Sequence, residues 1–258
     1  MKTASHQRDY VIQTVAHALD LLELFQESNS ELGISDLSSR LQLHKNNVFR
    51  LVATLNSRNY IEKNSISGKY RLGIKTRALG HLAVRQTDFQ QYARPALVQL
   101  NQSCHETCYF SMLSGSHAYY MDAVESDLPV RVRKWVGARR PVFCSASGKV
   151  QLAFLGDEER QQIIRTIEFT RYTDATIPDC SSLEEELNVI KELGYAVENQ
   201  EYDQGVVEIA APVFDCYGVV IGALSISGPA MRIGETRIRN ELASLLCREA
   251  EQLSRQFT

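Results

Sequence analysis

The sequence predicts an α+β protein in two parts. Three observations lead there: amphipathic helical patterns crowd the first sixty of its 258 residues, strand alternation takes over from Cys108, and long helical runs lie between the later strands. The first helical pattern places Ile12, Val15, Ala16, Leu19, Leu22 and Phe25 on one stripe. In the second, Ser35 is positioned to cap a helix that buries Leu37 and Leu41, with Asp36 in the first turn, where the helix dipole favours an anion. After a polar break, Val48, Leu51, Val52 and Leu55 recur at i, i+3, i+4 and i+7, leaving Lys45, Asn46, Asn47, Arg50 and Asn56 off the stripe. YIEKN and KYRL then form a hairpin around Ser65 to Gly68. Three helices backed by a hairpin make a winged helix-turn-helix, predicted over residues 1–73.

A polar outer face is common to surface helices, so the flanking elements and the charge carry the argument. From Ile34 to Lys75 there are eight Lys and Arg against two acids, a net of +6, whereas the whole chain is −3 and the remainder therefore −9. One basic module on an acidic body is the footprint of duplex binding. Asn can bond an adenine edge twice and Arg a guanine edge, while a Lys at the helix start reaches phosphate. The expected DNA-binding set is Ser35, Arg40, Lys45, Asn46, Asn47 and Arg50, with Lys69 from the hairpin.

Composition bounds the rest. With 44% hydrophobic and 23% charged residues the chain is ordinary for a globular protein. MKTASHQRDY has no apolar leader core, and no apolar stretch reaches the roughly 18 residues that span a bilayer, so a cytoplasmic address without membrane contact is expected. The six cysteines are then expected to be free thiols. Cys104 and Cys108 in CHETC sit at helical spacing, but no second ligand pair follows, so neither a metal nor a cofactor is expected.

The second part opens with a linker helix predicted over residues 74–89, carrying Ile74, Leu79, Leu82 and Val84, with Asp88 as a cap for the next helix. That helix runs through Gln90 to His105, begun or bent by Pro95. CYFSML and AYYMDAV read as a hairpin, and PVRVRKWV as a further alternating strand with Arg131 and Arg133 opposite Val130 and Val132. Helices follow over about Ser145 to Leu155, Asp157 to Ile167 and Ser182 to Leu193, the last closed by Gly194. YAVEN, VVEIAAPVF and VVIGALSIS return to strand before a final helix from Glu235 to Phe257. Residues 90–258 are thus predicted as one domain around an antiparallel sheet.

Three places in it look chemical. CSASGK, from Cys144 to Lys149, sets small hydroxyl residues where a helix starts, which suits either an anion site or a plain serine cap. Phe143 and Val150 exclude a phosphate loop there, because the glycine signature fails at both ends. Ser225 and Ser227 share one strand face, as a polar pocket floor or as solvent-facing residues. Glu208, with Glu198 on a neighbouring strand, either faces water or bonds something, since an unpaired buried carboxylate is costly. An enzyme using Cys144, Ser145 or Ser147 as nucleophile is the alternative, but no histidine lies in the strands around Glu208 to serve as base, so no catalytic residue is assigned.

Taken together, TVAHALDLLELF, LHKNNVFRLVATL, KYRLG, GARRPVFCSASGKVQLAFL and GVVEIAAPVFDCYGVVIGALSISGP resemble the IclR (isocitrate lyase regulator) type of bacterial transcription factors over nearly the entire chain. The resemblance implies a winged helix-turn-helix, a linker helix used in dimerisation, and a GAF-like domain that binds a small-molecule effector. It also implies a homodimer or homotetramer on double-stranded operator DNA, with repression as the expected sense. Carried over, the effector pocket comprises Ser145, Ala146, Ser147, Glu198, Glu208, Ser225 and Ser227, walled by Val132 and Val206. Two departures stand out: Asn46 and Asn47 replace a common Ser-Thr, and Glu208 and Glu198 stand where keto-acid-binding members tend to have Cys and Asp. The expectation is an organic acid whose carboxylate lies on the helix start and serines while its hydroxyl or amino groups meet the glutamates, unless Arg131, Arg133 or Arg140 neutralises them.

Overall fold

The computed structural model describes residues 11–25, 31–85, 89–133 and 136–257, with side chains outside 80–90. The expectations for MKTASHQRDY, Asp88, Trp135 and the side chains of Leu82 and Val84 fall outside these described residues. The chain divides into two compact units, Met1–Thr87 and Asp88–Thr258.

In the first unit, α1 (Gln13–Glu23), α2 (Ile34–Leu41) and α3 (Lys45–Ser57) precede an antiparallel pair, β1 (Ile61–Lys63) and β2 (Tyr70–Leu72), and then α4 (Ile74–Arg85). Leu37, Val48, Val52 and Ile61 are essentially buried and form the core with Leu21, Phe25, Leu32, Leu51, Leu55 and Tyr70. The first helix differs from expectation. Its inward face is Ala18, Leu21, Leu22 and Phe25, whereas Ile12, Val15 and Leu19 stay 69%, 53% and 55% exposed. The predicted stripe merged two neighbouring apolar faces. The cap of α2 also differs: Gly33 takes the N-cap, the Asp36 carboxylate accepts from its N–H at 3.0 Å, and Ser35 lies exposed in the first turn. An acid three residues into the helix reaches back to the capping backbone. The hairpin is tied down by Glu31, which accepts from Asn64 Nδ2 at 2.6 Å and from Ser67 Oγ at 2.5 Å. At Gly73 a Cβ would meet the Asn59 carbonyl oxygen at 2.4 Å, so glycine is needed where the chain folds back to start α4.

The second unit is a six-stranded antiparallel sheet in the order β5-β4-β3-β8-β7-β6. The strands are β3 (Thr107–Ser114), β4 (His117–Val124), β5 (Arg139–Pro141), β6 (Ala196–Asn199), β7 (Val206–Phe214) and β8 (Val220–Pro229). One face packs on α5 (Phe89–Cys104), which continues through Pro95, and on the C-terminal run. That run is expected as one helix but is built from α9 (Glu235–Arg237), a wide turn over Ile238–Leu242, and α10 (Ala243–Ser254). Leu97, Leu100, Phe110, Ile209, Leu224, Ile226, Leu242 and Leu246 fill this layer. Against the other face lie α6 (Ala146–Phe154) and α8 (Cys180–Leu193), with α7 (Asp157–Ile164) between them in sequence. Asp179 caps α8 by accepting from Ser182 N–H at 2.9 Å, and Gly194 closes it at φ +77°.

The strand expected in PVRVRKWV does not form over its described residues. Its carbonyls are held by side chains instead: Thr107 Oγ1 donates to Val132 O at 2.7 Å, Tyr109 OH to Arg133 O at 2.6 Å and Arg232 Nη1 to Val130 O at 2.7 Å. Alternation alone does not make a ladder. Val132 is buried and Val130 is 60% exposed, so the two valines do not share an environment.

Candidate functional site

On α3, Val48, Leu51, Val52 and Leu55 turn inward, which commits Lys45, Asn46, Asn47 and Arg50 to solvent. Arg40 in α2 and Lys69 before β2 are also exposed. One residue of this surface escaped the sequence reading. Phe49 is 60% exposed and stands next to Arg50 and one turn after Lys45. The available signal was its position one residue off the buried stripe.

The second candidate is a buried polar row across the sheet. Strand register sets Glu198 opposite Glu208, Glu208 opposite Ser227, and Ser227 opposite Thr107, so β6, β7, β8 and β3 each contribute one side chain. Ser225 lies two residues from Ser227 on the same face, between Ala210 and Tyr109. Alanines at 196, 210 and 223 let α6 approach this face closely. The start of α6 is fixed by Ser145, whose hydroxyl accepts from Gly148 N–H at 3.2 Å and donates to Pro141 O at 2.8 Å. Gly148 is required there, because a Cβ would lie 2.5 Å from Val142 Cα.

Glu208 is 4% exposed and held by three donors. Its carboxylate accepts from Ala146 N–H at 3.1 Å, from Ser147 Oγ at 2.8 Å, and from Tyr120 OH at 3.1 and 3.2 Å. The Tyr120 ring meets Tyr109 edge-on at 4.9 Å. Glu198 accepts from the N–H groups of Glu201 and Tyr202. Ser225 and Ser227 are 0% and 2% exposed, and neither hydroxyl has a hydrogen-bond partner. Behind them, Lys149 of α6 is wholly buried and donates to Glu201 at 2.6 Å, Val197 O at 2.7 Å and Glu186 at 3.3 Å. Arg140 bonds Asp203 at 2.8 Å and lies 4.0 Å over the Tyr202 ring, while Arg131 turns to Glu125 at 2.6 Å.

The buried titratable groups of this row shift one another. Burial, then Glu208, then Glu201 push the Glu198 carboxyl up to about 8. Burial and the nearby Glu208 raise the Tyr120 hydroxyl well above its usual range. Burial would depress Lys149, but Glu201 and Glu186 more than reverse it. A proton kept by folded Glu198 and released by the unfolded chain makes stability fall as pH rises from 4.5 to about 8. Glu198→Gln should remove that part of the slope, seen as a smaller fall in urea-unfolding free energy across this window. An unchanged slope would refute it.

Of the residues expected to line a pocket, Ala146, Ser147, Glu198, Glu208, Ser225 and Ser227 are buried near one another, and Val132 is buried beside Thr107. Ser145 is engaged as the helix cap, and Val206 is half-buried at the start of β7. The expectation of a helix start open to a ligand carboxylate is not met, because Glu208 fills it. Tyr109, Tyr120 and Lys149 were missed. Their period-2 or helical spacing reads as core, and only the fold brings them to the floor.

The IclR helix-turn-helix domain profile matches residues 14–65, and the profile for the bacterial transcriptional regulator IclR C-terminal region matches residues 81–255. Among curated proteins, the chain is 35% identical to the HTH-type transcriptional regulator XynR of Escherichia coli over 230 residues, covering 89% of this chain and 91% of that protein. It is 32% identical to the regulator KdgR of the same organism over 246 residues, covering 95% and 93%. Among solved structures, an IclR homologue from Microbacterium hydrocarbonoxydans in complex with 4-hydroxybenzoate superposes with a TM-score of 0.77 at 25% identity, covering 94% and 99%.

Proposed function

Because the chain belongs to the IclR family of bacterial transcriptional regulators, and is therefore a ligand-responsive DNA-binding regulator, we propose how its two units divide that work. Residues 1–73 read duplex operator DNA, residues 74–89 link, and residues 90–258 sense the effector. Base edges are met by Asn46, Asn47, Arg50 and Phe49, and phosphates by Ser35, Arg40, Lys45 and Lys69. The chain works as a homodimer or homotetramer in the cytoplasm. Supporting the oligomer, Ile12 before α1, Val15 and Leu19 of α1, and Ile74 and Leu79 of α4 are all at least half exposed.

The observation that carries the effector reading is the pair Ser225 and Ser227, buried with unpartnered hydroxyls beside two buried carboxyl groups. A buried hydroxyl without a partner calls for one, and an incoming polar molecule would supply it. The effector is a hydroxylated or amino-bearing organic acid, whose donors meet the glutamates and serines. A hydroxylated aromatic acid in the Microbacterium relative is in keeping with that class. For regulation, the effector must favour one arrangement of the operator-binding assembly over another, because equal affinity for both shifts nothing.

The test separates reading from sensing. Ser225→Ala should bind operator within about twofold of wild type but need about tenfold more metabolite for the same response, the worth of one hydrogen bond to a buried polar group. An unchanged metabolite response would remove Ser225 from the pocket.

A further inference from the structure

The start of a helix gathers unsatisfied N–H groups and favours an anion, and a helix of nine residues presents such a start at Ala146. Here the anion is supplied by the chain. Glu208 reaches from β7 to take the Ala146 N–H and Ser147 hydroxyl, while Tyr120 closes over both oxygens from β4. Ser225 and Ser227 sit beside it, buried and without partners, so the floor has one end already satisfied and another waiting.

We propose that Glu208 permanently occupies the anion seat at the start of α6, so that the effector docks on this floor by hydroxyl groups and not by a carboxylate. The inference rests on the effector-pocket reading and narrows it. A ligand carboxylate entering the seat would have to expel Glu208 from three donors and leave it buried next to Glu198. Expelling a buried charge from its donors is costly, and crowding carboxylates adds repulsion. A ligand hydroxyl meets no such obstacle. It donates to Glu208, where three donors, one of them the Tyr120 hydroxyl shared between both oxygens, supply three hydrogens to about four lone-pair sites, and it accepts from Ser225 or Ser227. Adjacent hydroxyls, or a phenol, suit the floor; acetate and plain 2-oxo acids do not. Any carboxylate on the effector lies away from Ala146.

A gain of binding tests this. Full-length protein, with no DNA present, is titrated calorimetrically with sodium acetate and sodium pyruvate. Wild type should give no saturable heat. Glu208→Ala, which empties the seat, should bind both ions at least about tenfold more tightly than wild type, the minimum expected for an anion on charge-assisted hydrogen bonds. In Glu208→Gln the amide refills the seat, and behaviour like wild type is expected. Should the alanine variant fail to fold, Glu208→Ser and the rescue of its melting temperature by acetate replace it. Equal binding by wild type, Ala and Gln overturns the inference, as does saturable acetate or pyruvate binding by wild type alone. Because DNA is absent, failure here leaves operator recognition untouched, and failure of operator recognition leaves this result standing.

Discussion

Lys149→Met is expected to cost the second unit about 3–5 kcal/mol, the usual penalty for removing one partner of a buried ion pair. Lys149 has no exposed surface, and its ammonium holds Glu201, the Val197 carbonyl and Glu186 together. Methionine fills the space but donates nothing. Glu201 is then a buried carboxylate without a cation, and its second oxygen already lacks a partner. Burial raises the Glu201 carboxyl even with Lys149 present. Without the lysine it rises further, so the folded variant keeps a proton that the unfolded chain releases above the ordinary value of 4.5. The deficit should therefore be smallest in acid and grow toward neutral pH. Thermal unfolding near neutrality should drop by on the order of 10 °C. Adding Glu201→Gln should restore most of the loss, and a double variant no better than the single would show that the pair is not the cause.

Arg50→Ala is expected to leave the fold intact and weaken specific operator binding by about tenfold to a hundredfold per half-site, the range of one bidentate arginine–guanine contact. Arg50 is exposed, so its loss opens no cavity. Discrimination should suffer more than non-specific affinity. Lys69→Ala should do the opposite, weakening all sequences alike and reducing the salt slope by about one. Phe49→Ala should act between them, losing affinity chiefly where a thymine methyl faces the helix. A specific footprint unchanged by Arg50→Ala would mean that another element reads the bases.

Much of this was legible where local spacing decides the outcome. All four residues of the α3 stripe are buried, β7 spans the predicted VVEIAAPVF, and Gly194 ends α8 in the left-handed conformation that favours glycine. The buried polar row was legible in part, because Glu208, Ser225 and Ser227 are polar where neighbours are apolar. What the sequence withholds are long-range partners. Val132 and Arg133 look like strand residues, yet their carbonyls are claimed by Thr107 and Tyr109, 25 and 24 residues away. CSASGK read equally as an anion site or a serine cap; Ser145 is the cap, and the carboxylate that meets Ala146 lies 62 residues later, where no local pattern points. On α1, too many apolar residues for one stripe hid which face turns inward.

The most direct test is binding of the purified full-length chain to its own promoter fragment at low ionic strength, followed through a salt titration with and without cell extract. The account predicts a specific complex whose affinity falls steeply with salt, as phosphate contacts require, and whose stability changes when extract metabolite is added. A chain that ignores the fragment under both conditions would contradict it.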